Sequence, residues 1–123
     1  MSRFDYPRSK RLLTARDFKT VFDGVVAKAG TPELLLLATP SASSSPRIGF
    51  IVGKKAVKLA VDRNRIKRHF REQFRLASNL PNIDIIVMAK KGAGELPPEV
   101  LSKQSAKLLR KIAQRVASNQ AKS

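Results

Sequence analysis

The sequence has no cysteine, which excludes disulfide staples and thiolate metal sites and leaves the redox compartment open. It has no apolar run near the roughly 18 residues that a membrane span requires. Its first ten residues, Met1 to Lys10, are polar and lack the apolar core of a secretion signal. These absences predict a cytoplasmic protein with no membrane partner. Acidic side chains are also scarce. Nine Asp and Glu stand against 25 Lys and Arg, a formal net charge of +16. A compact domain this basic repels itself and calls for a polyanionic partner, nucleic acid first among them.

What is present is enough for one domain. The 123 residues, 42% of them hydrophobic, can bury a core. The expectation is a single RNA-binding domain over 1–123, with 1–11 a flexible basic arm and 118–123 a frayed tail. The charge is unevenly placed. Residues 21–46 hold one basic side chain, Lys28, whereas residues 54–75 hold nine basic and two acidic, and residues 90–123 eight basic and two acidic. A merely solubilising surface would mix the signs more evenly.

Local patterns predict the order α-β-β-β-α-β-α, an α+β sandwich. Thr14 as N-cap with Asp17 at N3 makes a capping box, and Leu13 with Phe18 a hydrophobic staple, for a short helix ending at Gly24. Strands are expected at Val25–Lys28, Glu33–Thr39, Arg47–Gly53 and Ile83–Ala89. The last is almost continuously apolar and therefore central. A longer helix is expected from an Asp62 N-cap to Ser78, stopped by Asn79-Leu80-Pro81. A second begins at Pro97-Pro98 and runs to Ala117, with Leu101, Leu108, Ile112 and Val116 as its buried stripe and Lys103, Lys107, Lys111 and Arg115 off it. The helix bracketed by the third and fourth strands implies a parallel crossover, right-handed by the general rule.

The segment Gly53 to Arg75, GKKAVKLAVDRNRIKRHFREQFR, is the most informative. Ile66, Phe70, Phe74 and Ala77 share one helical face and dock it on the sheet. Asn64, Lys67, Arg68, Arg71 and Arg75 spread over the opposite face, with Arg65 at its edge. A rigid row of basic groups rising about 1.5 Å per residue can track a phosphate backbone. Glu72 can orient Arg68 or Arg75. Phe18 and Phe22, one turn apart, are open to two readings: core residues, or rings beside the sheet that stack single-stranded bases. His69 has no partner at a spacing that suggests catalysis, and no paired carboxylates, metal-ligand cluster or phosphate-binding glycine loop is evident. The residues describe a binding protein without catalytic apparatus.

Asp62-Arg63-Asn64-Arg65-Ile66-Lys67-Arg68, following Gly53-Lys54-Lys55 and Ala60-Val61, resembles the RNR signature of the bacterial ribonuclease P protein subunit. Leu12-Leu13 with Asp17-Phe18-Lys19-Thr20-Val21-Phe22 resembles that family's first helix, and Pro46-Arg47-Ile48-Gly49 its third strand. The likeness covers roughly residues 10–115. It implies a fold like the second domain of ribosomal protein S5, with a left-handed parallel crossover in place of the general rule. It also implies that Arg63, Asn64, Arg65, Lys67, Arg68 and Arg71 meet the catalytic RNA. Phe18, Phe22, Lys54 and Lys55 would hold the 5′ leader of precursor tRNA. No cofactor would bind the protein alone, magnesium would serve the RNA subunit, and no protein partner would be required. Two departures stand out: Leu34 to Leu37 are aliphatic where the family often has an aromatic residue, and Gly53 stands where serine is common. The alternatives of another class are a structural ribosomal or nucleoid protein, and a protein-only nuclease.

Overall fold

A computed structural model describes residues 15–41, 46–77, 80 and 82–121. The whole of the basic arm, the Thr14 cap, the Leu13 staple and the last two residues of the tail lie outside them. The elements run α1 (Ala15–Asp23), β1 (Ala27–Gly30), β2 (Leu34–Pro40), β3 (Arg47–Ile51), α2 (Ala60–Leu76), β4 (Ile83–Ala89), a 3-10 turn (Ala93–Glu95) and α3 (Pro98–Ala121). The sheet order is β1-β2-β4-β3. β2 pairs antiparallel with β1 and β4, and β3 pairs parallel with β4. The sheet is thus mixed, and β3-α2-β4 is the expected parallel crossover. β4 lies inside the sheet, as its unbroken apolar run requires.

Strand alternation sorts side chains onto two unlike faces. Leu34, Leu36, Ala38, Ile48, Ile83, Ile85 and Val87 join Ile66, Phe70 and Phe74 of α2 and Leu101, Leu108, Leu109, Ile112 and Val116 of α3 in the main core. Each large side chain withdrawn here contributes about 1.5–3 kcal/mol. The other face carries a much smaller cluster, in which Val21 of α1 meets Leu37 and Ile86, flanked by Phe18, Val25, Leu35 and Met88. Two helices therefore cover one face and one short helix the other.

Several boundaries differ from expectation. α2 starts at Ala60 with Leu59 as N-cap and no side-chain cap, so Asp62 lies in the first turn instead of capping it. The helix ends at Leu76, ahead of Asn79-Leu80-Pro81. β1 lies two residues later than its apolar pattern suggested, because Ala27 and Ala29 pair with Ala38 and Leu36. α3 continues past Ala117 to Ala121. Gly92 has φ of 96°, the left-handed region that favours glycine, and leads into the 3-10 turn. At Gly94 the need is for space: a Cβ there would stand 2.9 Å from Cγ1 of Val57.

α1 is fastened by charge as well as packing. Nε and Nη2 of Arg47 donate to both carboxylate oxygens of Asp84, at 2.9 and 2.7 Å, and Nη1 and Nη2 reach Asp17 on α1 at 3.4 Å. The hydrogen bond to Asp84 holds the Arg47 guanidinium above its ordinary value, against the opposing pull of desolvation. Asp84 is buried, so losing its partner leaves an uncompensated carboxylate. We expect Arg47→Ala to cost about 2–3 kcal/mol. A double-mutant cycle with Asp84→Ala, followed by chemical denaturation, should show strong coupling. Additive effects would show that the two groups act independently.

Candidate nucleic-acid interface

The outer face of α2 is set by its buried seam. Ile66, Phe70 and Phe74 anchor one side, so Asn64, Arg68 and Arg75 project from the other, all exposed. Glu72 accepts from Nη2 of Arg75 at 2.5 Å, choosing Arg75 over Arg68.

The remaining members of the expected basic face are less free than a helical wheel suggests. Nη1 of Arg63 donates to the carbonyls of Val57 and Lys58, at 3.0 and 2.8 Å. Nη2 of Arg65 donates to the Gly94 carbonyl at 2.8 Å and lies 3.7 Å from Asp62. The Arg71 guanidinium stands over the Phe50 ring, 5.3 Å from its centroid. Lys67 is half-buried. Three arginines thus tie the helix to the 53–59 loop, the 3-10 turn and β3. Sequence reasoning missed these ties because each runs to a carbonyl or ring that helical periodicity does not reveal.

His69 sits on the flank of α2 that meets α3, its Nδ1 2.9 Å from Ser102 Oγ. Desolvation, and then the charges of Arg68 and Arg65, hold it below its ordinary value.

The opposite sheet face is partly open. The Arg47–Asp84 and Thr39–Asp84 pairs and the would-be Cβ contact between Gly24 and Thr39 locate α1 over one end of the strands. At the other end the register aligns Leu35, Met88 and Ile51 in one row. Ile51 is exposed, and Leu35 and Met88 are partly so. On α1, Phe18 is half-buried against the Val21–Leu37–Ile86 cluster, while Phe22 is 45% exposed. The structure therefore separates two rings that the sequence left undecided. Lys54 and Lys55 are exposed in the turn that follows β3, and Lys28 and Lys90 are exposed on β1 and just after β4. The row Leu35, Met88 and Ile51 escaped notice because a run of four leucines hides its own alternation. Among the described residues, no three His, Asp or Glu side chains gather into a metal-holding group, and no helix is long and apolar enough to cross a membrane.

Comparison with known proteins names this arrangement. The model of the Ribonuclease P family matches residues 6–113. The chain belongs to the ribonuclease P protein family. It is 49% identical over 110 residues to the ribonuclease P protein component of Azotobacter vinelandii, covering 89% of this chain and 85% of that one. It is 48% identical to the component from Pseudomonas aeruginosa, covering 88% and 81%. Its fold is similar to that of the Staphylococcus aureus RNase P protein, with a TM-score of 0.74 at 25% identity over 84% of this chain and 96% of that one. The Thermotoga maritima RNase P protein gives 0.70 at 27% identity over 84% and 97%. Membership makes the chain a protein component of ribonuclease P, the endoribonuclease of tRNA processing, and replaces the ribosomal or nucleoid alternative.

Two predictions follow from this geometry of the ribonuclease P protein. Arg65→Ala should cost about 1–2 kcal/mol, since it removes a charged hydrogen bond to Gly94. Arg68→Ala, whose exposed side chain has no hydrogen-bond or ion-pair partner among the described residues, should change stability by less than about 0.5 kcal/mol. Denaturation midpoints that fall equally would mean that Arg65 is not a tie. The second concerns pH. The folded protein favours neutral His69, so the unfolded chain binds that proton more tightly. Stability should decline as pH falls from about 6.5 through the lower folded value. His69→Asn should flatten the stability curve between about pH 7 and pH 5. Identical curves for the two proteins would contradict this.

Proposed function

We propose that the protein binds the catalytic RNA of ribonuclease P along the outer face of α2 and holds the 5′ leader of precursor tRNA against the α1 face of the sheet. The observation that carries this reading is the position of α1 and α2 on opposite faces of one four-stranded sheet. A protein so built can touch two RNA molecules at once without either displacing the other. Asn64 and Arg68 supply exposed contacts, half-buried Lys67 adds a charge beside them, and Arg63, Arg65 and Arg71, held by their ties, add positive charge already fixed in place. On the other face Phe22 supplies a ring for base stacking, Phe18 and the Leu35–Met88–Ile51 row supply an apolar floor, and Lys54 and Lys55 meet phosphates.

Catalytic RNA and substrate are both polyanions and repel each other. A protein of charge +16 between them lowers that repulsion, and contacts to the leader distinguish precursor from product. The hydrolysis belongs to the RNA, which holds the magnesium, and the setting is the cytoplasm. The direct experiment is precursor tRNA processing by a bacterial ribonuclease P RNA at low magnesium, with and without this protein. Processing should rise with the protein, and the protein alone should leave the substrate intact. No stimulation, or metal-dependent cleavage by RNA-free protein, overturns the reading.

Phe22→Leu isolates the leader contact. A base–aromatic stack contributes about 1–3 kcal/mol, so the ratio of precursor to mature tRNA affinity of the assembled enzyme should fall roughly 5- to 150-fold. Mature tRNA, lacking a leader, should bind as before. An unchanged ratio would assign the leader to charge alone.

A further inference from the structure

The strongest charge pattern left unused lies on α3. From Pro98 to Ala121 it holds five basic residues and one acid, Glu99. Its buried side is Leu101, Ser105, Leu108, Leu109, Ile112 and Val116. Lys103, Lys107 and Arg110 are exposed on the opposite side, with Lys111 half-buried beside them. Arg115 is held at the sheet edge, donating to the Lys28 carbonyl. None of the four outward groups has a recorded ion-pair partner among the described residues, whereas Lys19 of α1 pairs with Asp23 and Arg75 of α2 with Glu72. A basic row without its own carboxylates is available to an external polyanion.

Its position says which one. α2 and α3 pack side by side on the same sheet face, joined by the His69–Ser102 contact. A groove between their later turns is lined by Gln73 and Leu76 of α2, by Ala77 just beyond it, and by Ala106, Leu109 and Arg110 of α3. Residue numbers rise together on both helices from 69 opposite 102 to the groove, so the helices run in the same direction. Arg68 therefore stands level with Lys103, and Arg75 with the Lys107–Arg110 turn, on helices about 8–10 Å apart. The two rows form one cationic layer on the side away from α1.

We propose that the outer face of α3, through Lys103, Lys107 and Arg110, is a second phosphate-binding ridge for the catalytic RNA. The inference rests on the reading that α2 binds that RNA, and extends the interface across the layer. Salt dependence tests it. The triple variant Lys103→Gln, Lys107→Gln, Arg110→Gln keeps helix-forming residues at exposed positions, and native circular dichroism should confirm its fold. Its binding to a bacterial ribonuclease P RNA is compared with that of wild type, of Arg68→Ala, and of a charge-matched control, Lys19→Gln, Lys90→Gln, Lys91→Gln. The ridge variant should lose about two units of log–log salt slope and bind at least tenfold more weakly at moderate salt, with the control near wild type. Equal losses in ridge variant and control reduce the effect to net charge and overturn the proposal. So does normal assembly combined with weakened precursor tRNA binding, which would give the ridge to the substrate. If the ridge variant binds normally while Arg68→Ala does not, the ridge proposal fails and the α2 reading stands. If neither matters, the α2 reading itself fails.

Discussion

One ion cluster ties the first helix to the sheet. Arg47 on the edge strand grips buried Asp84 on the neighbouring strand with two nitrogens and reaches Asp17 on the helix above. The apolar patch under that helix is small, essentially Val21 on Leu37 and Ile86. Such a patch would hold a nine-residue helix without fixing its direction. The bidentate geometry adds direction, because a planar guanidinium accepts carboxylates only along its edges. With Asp17 held down, the other flank of α1, which carries Phe18 and Phe22, turns to the open half of the sheet.

The same constraint explains the asymmetry of the fold. Covering one sheet face with two long helices produces nearly all of the core. The other face can then be left half bare without loss of the domain, and an exposed ring such as Phe22 costs little there. Most of the packing that holds the domain together thereby lies on one side of the sheet, and the open apolar row on the other. The excess positive charge lies on both sides: on the α2–α3 layer, and on Lys28, Lys54, Lys55 and Lys90 around the open row. The main core can tolerate this because the charges sit outside it and an RNA partner neutralises them.

Much of this was legible in the sequence, for identifiable reasons. β4 was read to the residue because an apolar, β-branched run has one natural home in a mixed sheet. The α2 seam of Ile66, Phe70 and Phe74 followed from helical spacing alone. What escaped depends on contacts between distant segments. The start of α2 was misplaced because Asp62 resembles a cap, whereas the chain begins the helix at Ala60 without one. Arg65 seemed a free surface group because Gly94, its partner, is 29 positions away. Phe18 and Phe22 share one helical face, and only the strand beneath determines that one is half covered and the other open.

The central claim is that two RNA molecules meet opposite faces of one sheet, and photo-cross-linking tests it most directly. A benzophenone amino acid in place of Phe22 keeps an aromatic ring on the α1 face. The same group in place of Glu72 reports on the outer face of α2 without removing a proposed contact. Each protein is assembled with catalytic RNA and precursor tRNA, irradiated, and the cross-linked nucleotides are mapped. The account predicts cross-links from position 22 to the 5′ leader and from position 72 to the catalytic RNA. Cross-links from both positions to the same RNA, or the reverse assignment, would contradict it.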